Sequence, residues 1–169
     1  MGHRNFVAIG GNVGSKSAIA ARFGCAVDEL QLLVGPVTTS RLYISPPSGP
    51  VLNQPSFLNG VLAFDTERSA EWVLGVLEEL EKEFGRVEKG GQGPRTLDLD
   101  LLASGKRCLV STGLTLPHPK AKVRDFVMVP WSELVPSDYC IPGEAETVCQ
   151  LAKRMDSTLE LYSEFRFAE

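Results

Sequence analysis

The chain has 169 residues and a mass of 18.4 kDa, a size that fits one compact domain better than two full hydrophobic cores. Hydrophobic residues make up 43% and charged residues 22%, and the mean hydropathy is −0.01; these values exclude the disordered and collagen-like classes of protein. The formal net charge of −4 disfavours binding of the whole chain to a polyanion, so we expect no nucleic-acid partner.

The chain begins with a strand, a turn and a helix. Residues 6–9 form a short apolar strand pattern, and the glycines and asparagine at 10–12 predict a turn. Residues 17–34 have the apolar spacing of an amphipathic helix. After this helix, residues 37–44 are rich in β-forming side chains and predict a second strand that ends in a proline-rich loop.

A second set of strand, helix and strand follows. Residues 57–66 alternate as a third strand, with Phe57, Asn59, Val61 and Ala63 on one face and mostly apolar side chains on the other. A helix starts near Ser69 and stops at Gly85. We expect its exposed face to carry four glutamates, a glycine-rich mobile loop to follow the helix, and a fourth strand to cover residues 96–102. The four glutamates are Glu78, Glu79, Glu81 and Glu83.

The order strand, helix, strand, strand, helix, strand predicts an α+β protein with a ferredoxin-like βαββαβ core, an antiparallel sheet with helices packed on one face. Beyond the core we expect a short strand near residues 108–110 and a short helix near residues 145–153. We interpret residues 1–169 as a single domain. The pattern of residues 156–169 leaves open a strand, a helix, an appendage or the start of a linker.

The cysteines and the hydropathy profile bear on the cellular location of the protein. Four widely spaced cysteines form no pair at zinc-ligand spacing, so we interpret them as free, mostly buried thiols. No apolar run approaches the roughly 18 residues of a membrane span, and the start of the chain lacks the features of a signal peptide. We therefore expect a cytoplasmic protein without a membrane partner.

The strongest chemical signal is an aspartate pair in the fourth strand. Residues two apart share a face of a strand, so Asp98 and Asp100 point one way and the neighbouring leucines point into the core. Magnesium prefers such oxygen ligands together with substrate phosphates, although a solvated acidic face is the alternative. Between Arg86 and Arg124, eight basic residues face three acidic ones, a local charge of +5 that leaves −9 for the remainder. This charge split indicates a small anionic ligand handled with a metal.

Two further clusters carry polar and aromatic side chains. His118, Lys120 and Arg124 have groups that suit a polyphosphate, although an ordinary solvated loop is the alternative. Asparagine is disfavoured in strands, so Asn59 beside Phe57 indicates an amide and an aromatic platform for a ring; the alternative is a core phenylalanine with an edge asparagine.

Five ordered motifs together resemble the 6-hydroxymethyl-7,8-dihydropterin pyrophosphokinase family of folate biosynthesis, over about residues 5–143. The most specific is Gly-Pro-Arg-Thr-Leu-Asp-Leu-Asp at residues 93–100. The others are residues 7–14, 54–59, 85–87, and 116–120 with 124–127. The resemblance implies magnesium-dependent transfer of pyrophosphate from ATP to the hydroxymethyl group of the pterin, with release of AMP. The family occurs both as a free enzyme and as part of fused folate enzymes, so fusion or association with another folate-pathway enzyme stays open.

The resemblance also implies roles for individual residues. Asp98 and Asp100 would hold two magnesium ions and act in catalysis with Arg86 and Arg95. The remaining assignments are ATP binding by Arg86, Lys89, Arg95, Leu101, Thr115, His118 and Arg124, and pterin binding by Ser45, Pro46, Pro47, Ser48, Phe57, Asn59 and Phe126.

The chain departs from the family at several positions. Gly91 and Glu88 stand where basic residues are usual, Gly11 where serine is typical, and Trp131 where leucine is usual. A less basic mobile loop between the second helix and the fourth strand is the expected consequence. Two other functions stay open: a non-catalytic ligand-sensing module of the same fold, and a single-stranded RNA reader, which the net charge disfavours.

Overall fold

The computed structural model describes residues 2–47, 50–85 and 93–168. The predicted order of elements is confirmed, with extra short strands after the core. The strands are His3–Gly11 (β1), Thr38–Thr39 (β2), Leu42–Ser45 (β3), Phe57–Thr66 (β4), Asp98–Ser104 (β5), Leu109–Ser111 (β6), Leu114–Leu116 (β7) and Glu160–Tyr162 (β8). The helices are Lys16–Val34 (α1), Ala70–Glu83 (α2), Asp125–Ser132 (α3) and Val148–Arg154 (α4), with a 3-10 turn at Ala121–Val123.

One antiparallel sheet organises the molecule. Its strand order is β5-β1-β4-β3-β8, and the short β2 pairs with β4 beside β3. The fourth core strand therefore lies next to the first, and the third lies between the first and the second. This is the ferredoxin-like arrangement that the element order predicts. A separate hairpin of β6 and β7 precedes the C-terminal helices.

The second core strand is interrupted, whereas the sequence predicts a continuous strand over residues 37–44. The break lies at Ser40, whose hydroxyl accepts a hydrogen bond from the backbone N–H of Val61 (2.8 Å) and donates to the carbonyl of Arg41 (2.8 Å). A side chain thus replaces part of the backbone ladder, which is typical of serine competing for local backbone groups.

The strand β1 is longer than the predicted residues 6–9. Gly10 and Gly11 belong to the strand because they pair with β4, and Gly10 also pairs with β5 on the other side. The turn comes later, at Gly14, which has a positive φ of 100°. Ser15 then caps α1, its hydroxyl accepting from the N–H of Ala18.

Both faces of the sheet are covered. The core helices α1 and α2 share one face, as expected, and pack on apolar side chains such as Leu62, Phe64 and Leu99. The C-terminal helices α3 and α4 pack on the other face around Val61 and Trp131. The odd and even positions of β4 therefore both face a core, which explains why the strand is apolar on both sides.

The C-terminal residues add the edge strand β8, which pairs with β3. Beyond this strand, Phe165 and Phe167 pack edge to face, with ring centroids 5.3 Å apart, against the core under α1. The glycine at position 24 of α1 makes room for this contact, since a Cβ there would lie 3.3 Å from the ring of Phe165. The tail is thus part of the packed structure on this side of the sheet.

The cysteine prediction is partly wrong. All four cysteines are free, but Cys25 and Cys108 are exposed and Cys140 and Cys149 are half-buried, so none lies in the core. They occupy helix surfaces and loops, where a thiol is not needed for packing. Among the described residues, no helix combines the length and apolar character required to cross a membrane.

Candidate functional site

The strand pairing brings the aspartates and the asparagine together. Gly10 in β1 lies opposite Asn59 of β4 on one side and opposite Asp98 of β5 on the other. Ala8 in turn lies opposite Asp100. Because Gly10 has no side chain, the sheet surface between the amide and the carboxylates stays open, and a Cβ at Gly10 would lie only 3.3 Å from Asn59 Oδ1. The sheet surface at Gly10 is therefore a shallow depression between Asn59 and the two aspartates, which forms the floor of the site.

This floor belongs to an open cavity of about 300 Å³ between the sheet and the segment that leads into α3. The predicted site residues that line it are Ser45, Pro46, Phe57, Asn59, Arg95, Asp98, Asp100, His118, Arg124 and Phe126. Pro47, Leu101 and Thr115 are not among the lining residues, and the Leu101 side chain is buried in the core on the opposite face. Ser48, Arg86, Glu88, Lys89 and Gly91 lie outside the described residues.

The aspartate pair has the predicted orientation. Asp98 and Asp100 are half-buried at the cavity, whereas Leu97, Leu99 and Leu101 are buried under the helices. Within the described ranges, no group of three or more His, Cys, Asp or Glu side chains forms a potential metal site. The protein therefore offers two carboxylates at an open surface, which leaves coordination positions for substrate oxygens and waters.

A basic wall lines the cavity together with the carboxylates. It consists of Arg95, His118, Lys120 and Arg124. Arg95 makes an ion pair with Asp98, with 3.3 Å between Nη1 and Oδ2. Cations and carboxylates share this cavity, so it can hold a polyanion together with a cation.

The surroundings of His118 favour its neutral form. Burial lowers its pKa, and the nearby Arg124 and Lys120 lower it further, while Asp98 acts in the opposite direction. Its Nδ1 accepts a hydrogen bond from the backbone N–H of Lys120 (3.2 Å), so the proton of the neutral ring sits on Nε2. The imidazole can therefore donate from Nε2 to an anionic oxygen.

Two aromatic rings and an amide also line the cavity. Phe57 at the start of β4 and Phe126 in α3 are both half-buried there. The Arg124 guanidinium lies over the Phe126 ring, 5.6 Å from its centroid. Asn59 is 6% exposed, and its amide nitrogen donates to the Ser45 hydroxyl at 2.6 Å. The amide is thus fixed at the edge of a slot that suits a flat ring.

A buried glutamate supports the aspartate strand from behind. Glu81 is 2% exposed, whereas the helix pattern predicts it on the exposed face of α2; this prediction is wrong. Its Oε2 accepts a hydrogen bond from the N–H of Leu99 (3.4 Å), the residue between the two aspartates. Since β5 is the outermost strand of the sheet on that side, its outward N–H needs a partner that the sheet does not supply.

Several site residues were not assigned a role by sequence reasoning. Gln54 lines the cavity, and it lies within a motif that resembles the family, which was the available signal; Lys120, placed with the polyphosphate cluster, lines it too. Asn12 does not line the cavity but is bonded to residues that do. Its position between glycines predicts a turn, and nothing in the local sequence indicates the long-range contacts.

Comparison with protein families and curated proteins gives one consistent match. The model of the 7,8-dihydro-6-hydroxymethylpterin-pyrophosphokinase family (HPPK) matches residues 6–136. A protein of Synechocystis named 2-amino-4-hydroxy-6-hydroxymethyldihydropteridine pyrophosphokinase is 37% identical over 158 residues, covering 92% of this chain and 78% of that protein. A protein of Pseudomonas aeruginosa with the same name is 39% identical, covering 79% of this chain and 81% of its own length.

Longer proteins also match. The folate synthesis bifunctional protein of Arabidopsis thaliana is 36% identical over 134 residues, which are 26% of its length. Among solved structures, wild-type HPPK-DHPS of Plasmodium falciparum with pteroate superposes with a TM-score of 0.69 at 11% sequence identity, over 90% of this chain. This chain spans 42% of that structure's chain, and the likeness at this identity shows the shared fold.

Proposed function

The chain belongs to the 7,8-dihydro-6-hydroxymethylpterin-pyrophosphokinase family, and from this membership we propose that it transfers pyrophosphate from ATP to the hydroxymethyl oxygen of 6-hydroxymethyl-7,8-dihydropterin. The oxygen forms a bond to the β-phosphorus, the bond from that phosphorus to the α-phosphate oxygen breaks, and AMP leaves. The hydroxyl proton passes to solvent. The product is the pterin diphosphate, an intermediate of folate biosynthesis.

The observation that carries the proposal is the joint placement of two carboxylates, a basic wall and an aromatic slot in one cavity. Asp98 and Asp100 line the same cavity as the basic wall, which suits a triphosphate, and the slot of Phe57 and Phe126, which suits a pterin. We propose that a pterin and a nucleotide bound together in this cavity bring the hydroxymethyl group to the β-phosphate. Alignment of the two reactants is the main source of acceleration available for such a transfer.

The donor set fits magnesium. Asp98 and Asp100 offer hard oxygen ligands from one face of β5, and the neighbouring cations can hold the phosphate oxygens that complete the coordination. We propose that these two aspartates hold the two magnesium ions of the reaction. When bound, the metal neutralises phosphate charge and makes the hydroxyl more acidic.

The basic wall acts on the nucleotide. Arg95, His118 and Arg124 bind and orient the triphosphate, and their charge or donated hydrogen bonds stabilise the charge that develops as AMP leaves. Arg86 and Lys89, with Thr115 and the backbone at Leu101, complete the proposed nucleotide contacts. The role of Arg86 in catalysis is likewise proposed on family resemblance.

The slot acts on the pterin. Phe57 and Phe126 stack on the ring, with Phe126 offering one face because Arg124 covers the other. Asn59, held by Ser45, reads the hydrogen-bonding edge of the ring. Pro46, Pro47 and Ser48 are proposed to complete this contact.

The reaction is tested by assay of AMP and pterin diphosphate formation from ATP and the pterin, with and without magnesium. We expect formation of both products only with magnesium. A purified, folded protein that forms neither product overturns the proposal. Pterin binding that is indifferent to magnesium and to Asp98, without turnover, supports a ligand-sensing module instead.

We further propose a cytoplasmic location and association or fusion with another folate-pathway enzyme. Four free cysteines suit a reducing compartment. The bifunctional relative from Arabidopsis and the HPPK-DHPS structures support a physical link between folate enzymes.

A further inference from the structure

Asn12 lies directly behind the candidate site and is fully buried, with 0% exposure. It follows the last residue of β1, where the chain leaves the sheet. Its amide nitrogen donates two hydrogen bonds, one to Gln54 Oε1 (3.0 Å) and one to the carbonyl oxygen of Pro55 (2.9 Å). Both acceptors belong to the loop that leads to Phe57 at the start of β4, and Gln54 lines the cavity.

The amide oxygen of Asn12 points to the other side of the site. Its Oδ1 accepts from the backbone N–H of Arg95 at 2.8 Å, and the backbone N–H of Asn12 donates to the carbonyl oxygen of Arg95 at 2.9 Å. Arg95 belongs to the basic wall and forms the ion pair with Asp98. One side chain thus connects two segments that each contribute a residue to the cavity, Gln54 and Arg95, and that are about 40 residues apart in sequence.

The surrounding backbone is tightly packed at this point. A Cβ on Gly11 would lie 2.7 Å from the carbonyl oxygen of Thr96, closer than a side-chain carbon can approach a backbone oxygen. The same oxygen accepts from Arg22 Nη1 at 2.9 Å, and that guanidinium nitrogen also donates to the carbonyl oxygen of Val13 (3.1 Å). The segment of Arg95 and Thr96 therefore has little freedom to shift relative to Asn12.

Lys16 holds the same loop from a second direction. Its Nζ donates to the carbonyl oxygen of Ser56 at 2.7 Å. This ammonium reaches only the loop, whereas Asn12 reaches both the loop and Arg95. An asparagine amide is suited to this double role because it offers two N–H donors and a carbonyl acceptor on one small planar group.

We infer that Asn12 is a positioning residue that fixes the pterin side and the nucleotide side of the cavity relative to each other. The inference rests on the proposed function for the identity of the two ligands. Asn12 touches neither ligand in this arrangement; it acts through Gln54 and Pro55 on one side and through Arg95 on the other. Its loss removes a restraint from the loop of Gln54 and from the segment of Arg95, so each binding surface is less well fixed and the two are no longer held relative to each other.

The test uses two substitutions with different chemistry. Asn12→Ala removes all three side-chain hydrogen bonds. Asn12→Asp keeps an acceptor for the Arg95 N–H but loses both donors, and it turns carboxylate oxygen toward the acceptors of Gln54 and Pro55. The matched control is Asn5→Ala. Asn5 is also a buried asparagine, but it lies within β1, and its amide nitrogen donates to the His3 carbonyl, away from the cavity.

Binding is measured with two probes that do not react, 6-hydroxymethylpterin and the magnesium complex of α,β-methylene ATP. We expect Asn12→Ala to weaken the binding of both probes by about tenfold or more, since each lost hydrogen bond is worth on the order of 1 kcal/mol. Asn12→Asp weakens the pterin probe by a similar factor and changes the nucleotide probe by less than about threefold. Asn5→Ala changes neither dissociation constant.

A second measurement is independent of ligands. The Arg95 amide hydrogen bonds to Asn12 Oδ1, so its exchange with solvent reports this contact directly. We expect exchange at Arg95 to be at least about tenfold faster in Asn12→Ala and near that of the unsubstituted protein in Asn12→Asp. If Asn12→Ala does not fold, the isosteric Asn12→Asp decides through its selective effect on the pterin probe.

Failure of this inference is distinguishable from failure of the proposed function. If neither probe binds the unsubstituted protein, the proposed function is wrong. If both probes bind it, but Asn12→Ala only lowers thermal stability as Asn5→Ala does, Asn12 has a purely structural role and the inference is overturned. An effect of Asn12→Ala on one probe alone likewise overturns it, because the connection between the two sides is the claim.

Discussion

At the scale of single residues, the candidate site brings two carboxylates and several basic side chains into one cavity. Asp98 and Asp100 are carboxylates in a cavity that also contains Arg95, His118 and Arg124. The sequence predicts the orientation of the aspartates from the alternation of a strand. It does not predict that His118 is half-buried, because its proline-flanked loop has no periodicity that would indicate burial.

Loss of either carboxylate removes a ligand for the cation that neutralises phosphate charge. We expect Asp98→Asn and Asp100→Asn each to lower kcat/KM by at least about 100-fold, the size of effect seen when one strong electrostatic contact to a transition state is lost. The measurement is steady-state AMP formation at saturating magnesium. Asp65→Asn, an exposed aspartate of β4 that pairs with Arg4, serves as the control and retains activity.

The lowered pKa of His118 gives a second test at this scale. Burial and two cations favour the neutral ring, so NMR titration is expected to give a pKa below 6.5 in the free protein. A bound triphosphate favours the imidazolium, so the magnesium complex of α,β-methylene ATP raises the pKa. The resonance of His118 is assigned by its absence in His118→Ala. A pKa of His118 that does not rise on nucleotide addition contradicts the proposed contact between His118 and the triphosphate.

The same shift has a consequence for stability. Because the folded pKa is lowered, the unfolded chain binds more protons in the window below pH 6.5. The contribution of His118 to the free energy of unfolding is therefore present above pH 6.5 and is lost as the pH falls through the lowered folded pKa. His118→Ala is expected to reduce the acid sensitivity of unfolding between pH 7 and pH 5.

At the scale of elements, β5 is an edge strand that must hold two carboxylates in place. Its inner edge pairs with β1, and on its outer edge Glu81 accepts from the Leu99 N–H. The helix α2 is predicted well, since its apolar spacing, the Ser69 cap and Gly85 mark its face and ends. The burial of Glu81 is not predictable from the helix alone, because an acidic residue among other glutamates is expected in solvent and only the neighbouring strand changes that expectation.

Replacement of Glu81 tests how much its hydrogen bond to the Leu99 N–H contributes to the free energy of unfolding. Glu81→Ala leaves the Leu99 N–H without its acceptor and opens a cavity, so we expect a loss of about 2–4 kcal/mol in the free energy of unfolding. Glu81→Gln keeps an amide oxygen as acceptor and is expected to lose less. Urea unfolding measures both, and Glu79→Ala, a largely exposed position of the same helix, is expected to change stability by less than about 0.5 kcal/mol.

At the scale of the whole molecule, the sheet separates two cores with different tasks. The face under α1 and α2 carries the larger apolar cluster, and the face under α3 and α4 carries the cavity at one end. The sequence predicts the order of the core elements because each has a clear period and clear breakers. It does not decide the structure of residues 156–169, because a three-residue strand that pairs with a distant edge has too few positions to show a period.

The C-terminal tail tests this separation. Phe165 packs against α1 on the face opposite the cavity, so Phe165→Ala is expected to lower the free energy of unfolding by about 1–3 kcal/mol and to leave kcat unchanged below the melting temperature. Urea unfolding and AMP formation are the two measurements. Leu161→Ala, which removes a 42% exposed side chain of β8, is the matched control with little effect on either. A fall in kcat for Phe165→Ala would show that the two faces are not independent.

The close approach of Gly11 to Thr96 limits which residues position 11 of this chain can accept. The family resemblance leads us to expect serine at position 11, yet a Cβ here would lie 2.7 Å from a backbone oxygen, which cannot rotate away as a side chain can. Gly11→Ser is therefore not a neutral substitution in this chain, because the backbone around Thr96 has to shift to make room for a Cβ. A larger residue at position 11 therefore requires a different backbone path for residues 95 and 96, and the present path requires glycine at position 11.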